Sequence, residues 1–420
     1  MKFIISGCAR RLKLARKESR QLNGGTLGAI YSYLLSLLIE RGFSKEIIRN
    51  DRMIRRLNNA VALYNLARSY FLNGEYERVV VIIENNHKQN LVHADSYYLL
   101  SEAYRLLGKK DIARDVLNDI LIKSNRLKTW LYLANLVDSS REFFDLLATW
   151  QAYKDKKAIP CYHYELNGYI ATAALRAKEY DYALSIWQNF ISNMNDVDCI
   201  FPLRKIKRFP LDAANEALKD LRRVFISNNI DFFLISGTLL GCIRNNQLLG
   251  HDKDIDVGIW EQCDRNQVIK AISTSGCFEF HAFRSEHVIR VKHVSGISID
   301  IFYHYQEGDN YWHGGVKLKW NNSPFKLKEH QFLGVTFKIP ADYELYLTEN
   351  YGEWRIEKKE FDSSLDTPNA ELLSPSEMHV HLYKRLAQEI KNKNTHNVTR
   401  IEDCLSGYSK ALMYQYKQIN

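Results

Sequence analysis

Between Gly237 and Gly258 the chain reads GTLLGCIRNNQLLGHDKDIDVG, with Asp252, Asp254 and Asp256 at every second position. Side chains alternate faces along a β-strand. In DIDVGIW, therefore, Asp254 and Asp256 share one face while Ile255, Val257 and Ile259 share the other. Two carboxylates held within a few ångströms raise each other's pKa and cost stability unless a cation sits between them. Mg²⁺ suits the pair, because it takes one or two carboxylates and completes its octahedron with water and phosphate oxygens. Further on, ISIDIFYHY turns Ile297, Ile299 and Ile301 one way and Ser298, Asp300 and Phe302 the other, so a neighbouring strand would bring Asp300 to the same ion. A cluster of this kind serves phosphoryl or phosphodiester transfer, in which charge on a diphosphate must be neutralised and an acceptor aligned for in-line attack. Asp300 or Asp252 could take the acceptor's proton, and the spacing does not choose between them.

The flanking residues read as a phosphate cradle. LISGTLLG gives a strand end, a tight turn at Gly237 and Thr238, and the first turn of a helix whose free N–H groups can receive a phosphate. Arg244, one or two turns later, and Arg290 with Lys292 on one face of HVIRVKH are the cations expected to answer a second phosphate. Arg244 suits a salt bridge within the fold as well. Lys253 points away from the aspartates, and Tyr351 and Trp354 read as core. The spacing of His281, His287, His293, His304 and His313 repeats no zinc-ligand pattern, and solvated or hydrogen-bonded roles are expected.

Four motifs in order, Gly237-Thr238-Leu239-Leu240-Gly241 with Arg244, then Asp252, Asp254, Asp256 and Gly258, then Asp300-Ile301-Phe302, then Tyr351-Gly352 and Trp354, resemble the LicD/fukutin family of phosphotransferases. The resemblance covers roughly residues 220 to 365; His251 stands where the family has Trp. It implies a nucleotidyltransferase-like α+β fold that moves an alcohol phosphate, such as phosphocholine, ribitol phosphate or glycerol phosphate, from a CDP-activated donor to a hydroxyl of a surface or capsular glycan. Mg²⁺ or Mn²⁺ at Asp254, Asp256 and Asp300 is part of that expectation. Two alternatives are a nucleotidyltransferase adding NMP to a small molecule or nucleic acid, and a non-catalytic helical scaffold. Nucleic acid is otherwise not expected as a partner.

Residues 211–229, LDAANEALKDLRRVFISNN, read as a helix leading into strand-like runs at DFFLIS, DIDVGIW, HVIRVKH, ISIDIFYHY and VTFKIP. Upstream, AVALYNLARSYFLNGEYERVVVII aligns without gaps to ADSYYLLSEAYRLLGKKDIARDVL, the tetratricopeptide spacing of 34 separating Tyr64 from Tyr98 and Gly74 from Gly108. Weaker copies begin near Trp130 and at NGYIATAALRAKEYDYALSIW, where Ala171 replaces Ala67 and Tyr180 replaces Tyr76. The expected organisation is a basic helical region at 1–57, TPR-like repeats at 58–198, the catalytic domain at 199–365 and a helical segment at 366–420. Such a solenoid offers a concave face to capsule or glycan assembly enzymes, or buttresses the catalytic domain.

Residues 1–56 hold thirteen Lys or Arg and four Asp or Glu, which equals the +9 of the whole chain. The basic start ARRLKLARKESR could meet an anionic polymer or an anionic membrane face. ISGC, at 5–8, imitates a lipoprotein box, but the apolar stretch before it is too short for a signal segment. The longest apolar run, YSYLLSLLIE, is about half of what a bilayer span needs. Seven cysteines form no CxxC pair. A cytoplasmic protein, peripheral at the inner membrane face, is expected.

Overall fold

The computed structural model describes residues 12–13, 15–17, 19–20, 25–88, 94–156, 158–160, 162–194, 199–202, 209–358 and 361–419. The ISGC stretch and much of the basic start therefore lie outside the described residues. The first half is helical: α1 (Gly25–Glu40), α2 (Ser44–Arg49), α3 (Asp51–Arg56), α4 (Ala60–Leu72), α5 (Tyr76–Lys88), α6 (Ala94–Leu106), α7 (Lys110–Lys123), α8 (Leu127–Asn135), α9 (Ser140–Asp155), α10 (Tyr164–Arg176) and α11 (Tyr180–Ser192). From α4 onward these follow one another as four pairs, of which α4 with α5, α6 with α7 and α10 with α11 pack closely, while α8 packs on α7 and α10. Ala67, Ser101 and Ala171 are buried where helices of a pair approach, and Tyr70, Tyr98 and Trp130 fill the layers between them. Gly74 and Gly108 turn the first two pairs at φ of 75° and 74°, and Lys178 adopts the same left-handed turn, at 62°, in the fourth. Asn59 caps α4 through the Val61 and Ala62 N–H groups, and Ser139 with Glu142 makes a capping box on α9.

The second half begins with amphipathic α12 (Leu211–Ser227), whose buried face, including Ala217, Leu218, Leu221 and Phe225, lies in the core of a ten-stranded mixed sheet. The chain continues as β1 (Phe233–Leu234), α13 (Ser236–Asn245), β2 (Asp254–Trp260), α14 (Arg265–Ser273), β3 (Phe278–Phe280), β4 (Val288–His293), β5 (Ser298–Glu307), β6 (Asn310–Gly314), β7 (Leu318–Asn322), β8 (Leu327–Phe332), β9 (Val335–Pro340), α15 (Tyr343–Tyr351), β10 (Ala370–Leu372), α16 (Pro375–Asn392) and α17 (Thr395–Ile419). The strand order is β10-β7-β6-β5-β2-β1-β9-β8. Central β5 lies parallel to β2 on one side. On its other side it forks, its first half pairing with β4 and its second with β6.

Strands β3, β6, β7, β8 and β10 escape a pattern reading. They are short, and NYWHG, LKWNN and LKEHQF bury no clean alternation of apolar side chains. Strand β10 falls in the segment expected to be helical, and α16 after it places Val380 and Ala387 in the solenoid's core beside α11. Solenoid and sheet also meet at the opposite end. There Gly276 N–H donates to Leu72 O at 2.9 Å, Ser44 Oγ donates to Gly276 O at 3.1 Å, and Asn73 Nδ2 donates to Ser44 Oγ at 2.9 Å. No helix among the described residues is long and apolar enough to cross a membrane.

Candidate active site

The strand β1 ends in extended backbone at Ile235, and Ser236 then swings to φ 48° to start α13. A non-glycine residue in this region carries strain of the kind found where a chain must be aimed. The turn drives Gly237 against Asp252, so that a Cβ at 237 would stand 2.5 Å from Asp252 Oδ2. One residue on, the buried Thr238 hydroxyl accepts the Asp256 N–H at 2.9 Å, fixing β2 against the helix. The β2–β5 register sets Asp254 beside Ser298 and Asp256 beside Asp300, with Ile255, Val257, Ile299 and Ile301 wholly buried on the reverse face. Gly258 is required by its neighbours, since a Cβ there would lie 2.5 Å from the Phe233 ring and 2.7 Å from that of His304.

One carboxylate oxygen from each of Asp254, Asp256 and Asp300 lies within 4.8 Å of the others. Arg290 of β4 is paired with Asp300 across the ladder, its Nε 2.9 Å from Oδ2. Burial pushes Asp300 up to about 6 against the pull of Arg290, and pushes Asp252 up to about 6, with the Lys253 N–H opposing and Asp254 adding to it. Asp254 is raised by burial against Arg290 and Lys253. Asp256 is raised well above the ordinary value, by burial first and then by Asp254, Asp300 and Asp252. Converging, electrostatically frustrated hard oxygens are the donor set that suits Mg²⁺ or Mn²⁺.

These groups line a cavity of about 450 Å³ that also takes in Ser236, Lys317, Tyr351 and Trp354. Arg244 lines it too, but its guanidinium is engaged, donating from Nη1 to Trp354 O at 3.1 Å and from Nε to Asn245 Oδ1 at 3.0 Å. Two expected substrate contacts are not among the cavity's walls. Thr238 faces inward and spends its hydroxyl on the Asp256 N–H, while Lys292 stands exposed two residues beyond Arg290, opposite Ser298 and outside the cavity. Lys253, expected to point away, borders the cavity. Trp354 is core as expected and still forms part of the wall. His304 and His313 stack with ring centroids 4.4 Å apart, both buried. His293 reaches Asp220 (Nε2 to Oδ2, 3.1 Å) and Cys277, a second set of possible ligands, although Arg223 already holds Asp220 at 2.9 Å. Lys317, absent from the sequence-based candidates, sits in GGVKLKW, where no motif or period marks it.

Fold and site are similar to those of a nucleotidyltransferase domain of the LicD and fukutin type. Residues 229–342 match the family model described as LicD/FKTN/FKRP, nucleotidyltransferase domain. Residues 44–120 match that of the anaphase-promoting complex, cyclosome, subunit 3, in agreement with the tetratricopeptide-like pairs. Among individual proteins, the chain is 29% identical over 202 residues to the ribitol-5-phosphate transferase FKTN of Mus musculus, covering 46% of this chain and 42% of that one. It is 27% identical to the Homo sapiens protein of the same name over equal shares. An uncharacterised protein of Rickettsia typhi is 25% identical over 146 residues, 33% of this chain and 45% of its own. The match thus spans less than half the length of these relatives.

Proposed function

We propose that the chain is a divalent-metal-dependent phosphotransferase that moves an alcohol phosphate, ribitol phosphate first among the candidates, from a CDP-activated donor to a hydroxyl of a surface or capsular glycan. The observation that carries the reading is the meeting of Asp254, Asp256 and Asp300 within 4.8 Å beside Arg290 in a cavity of about 450 Å³. The mammalian relatives, ribitol-5-phosphate transferases by name, support the choice of ribitol phosphate.

Bound Mg²⁺ or Mn²⁺ at these three carboxylates would neutralise the charge of a donor diphosphate. The turn at Ser236 and Gly237 and the Arg290 guanidinium border the same space and hold the phosphates in line. The acceptor oxygen bonds to the phosphorus that carries the alcohol, the bond from that phosphorus to the bridging oxygen breaks, and CMP leaves with the electron pair. Asp252, which stands outside the three-carboxylate group and is raised by burial to about 6, receives the acceptor's proton. The reading puts the protein in the cytoplasm, with the basic amino-terminal segment available to the inner membrane face.

The test is CMP release from CDP-ribitol, CDP-glycerol and CDP-choline by purified protein with Mn²⁺, with glycan extract as acceptor. Release that needs metal and is lost in Asp254→Ala is expected. Pyrophosphate from CTP with no CMP from any donor would instead establish NMP transfer, and indifference to every nucleotide a scaffold.

A further inference from the structure

A second cavity, of about 260 Å³, shares Arg290, Phe302, Lys317 and Trp320 with the first and runs from them to the last helical repeat. Its far wall is Gly168 and Thr172 of α10 and Lys384 of α16, so three parts of the chain build it: solenoid, sheet and carboxyl-terminal helix. Its charge is one-sided. Four cations face it: Arg284, Arg290, Lys317 and Lys384. Glu377 neutralises Arg284 at 2.6 Å and Asp300 neutralises Arg290 at 2.9 Å. Among the described residues no carboxylate pairs with Lys317 or Lys384, both half-buried, and Lys384 has only the rings of Tyr164 and Trp187 at 6.0 Å. His381 adds a buried Nε2 that no protein group satisfies. Burial, then Arg290, Arg284 and Arg385, lower Lys317 to about 8 against Glu377. Half-buried cations that outnumber the carboxylates facing them are a standing cost that a bound anion removes.

We infer that this cavity seats an anionic group of the acceptor, a phosphate monoester in particular, and that the last repeat is thereby part of the substrate site. The assignment to the acceptor rests on the phosphotransferase reading. In-line displacement requires nucleophile and leaving group on opposite sides of phosphorus, and two cavities joined at Arg290 and Lys317 beside the carboxylates supply two approaches. Two uncompensated ammonium groups match a dianion better than a single carboxylate, which makes phosphate the preferred ligand over a uronate.

The experiment is calorimetric titration of inorganic phosphate, and separately of glucuronate, into the full chain in EDTA. Without metal the carboxylate cluster repels phosphate, so binding there reports the basic cavity alone. Wild-type protein is expected to bind one phosphate, with glucuronate at least tenfold weaker. Lys384→Met and Lys317→Met should each weaken phosphate at least tenfold, while Lys384→Arg retains it. Affinity should fall between pH 8 and pH 9 as Lys317 loses its proton. Asp254→Ala should bind phosphate in EDTA undiminished even where CMP release is abolished, which separates this inference from the phosphotransferase reading. Absence of phosphate binding to wild type, unchanged affinity in both methionine variants that retain wild-type circular dichroism, or equal binding of glucuronate would overturn it.

Discussion

Asp300→Asn tests the electrostatics of the site most directly, because the substitution keeps shape and removes one charge. Asp300 is only 7% exposed, and burial moves it from 3.8 to about 6, which at pH 7 and above costs the metal-free native state about 3 kcal/mol. That figure is already net of the attraction to Arg290, whose side chain is 43% exposed. The metal-free variant should therefore be more stable than wild type by roughly 3 kcal/mol, or about 6–12 °C for a cooperative unit of roughly 150–250 residues. The sign with pH follows from the folded pKa lying above the unfolded one. The penalty is complete above about pH 6, shrinks as pH falls and is gone below 3.8, so the two melting curves converge on acidification. Saturating Mn²⁺ reverses the order: at a thousandfold excess over Kd, wild type gains about 4.1 kcal/mol, which a variant missing one ligand largely forfeits. Melting in EDTA and in Mn²⁺ from pH 4 to 8 reads both effects. A variant less stable than wild type in EDTA, or a gap that ignores pH, would refute the argument.

Three further outcomes are expected. Thr238→Val leaves the Asp256 N–H without its acceptor and should cost about 1–3 kcal/mol by chemical denaturation, with a matching loss of Mn²⁺ affinity as β2 loosens. Gly237→Ala puts a methyl group 2.5 Å from Asp252 Oδ2; kcat for CMP release should drop at least tenfold with the far-ultraviolet circular dichroism unchanged. Lys178→Gly relieves a left-handed residue at φ 62° in the turn of the fourth helix pair, and the melting temperature should rise by the equivalent of about 1 kcal/mol.

The carboxylates were legible because strand alternation is a local rule: Asp254 and Asp256 had to share a face, and Asp300 had to oppose Ile299 and Ile301. The first two repeats were legible because Gly74 and Gly108 preserve the spacing of 34, whereas the fourth hides its turn behind Lys178. Register between distant segments has no such signature. Nothing in the sequence shows that Thr238 will receive the Asp256 N–H, or that Lys292 will stand opposite Ser298 while Arg290 stands opposite Asp300. Lys317 and Lys384 are unremarkable lysines in sequence, and only the packing of α10 and α16 around β7 withdraws them from solvent.

The segment from β10 through α16 also constrains how this architecture can change. An open helical array tolerates added or deleted units, since each touches only its neighbours. Here the same short stretch forms an outer strand of the sheet and then lies against α11, closing the end of the stack. With Ser44 and Leu72 moored to Gly276 at the other end, the array is spanned like an arch between two abutments. One more helix pair would lengthen the arch without moving the abutments, so the number of repeats is locked to the dimensions of the sheet beneath.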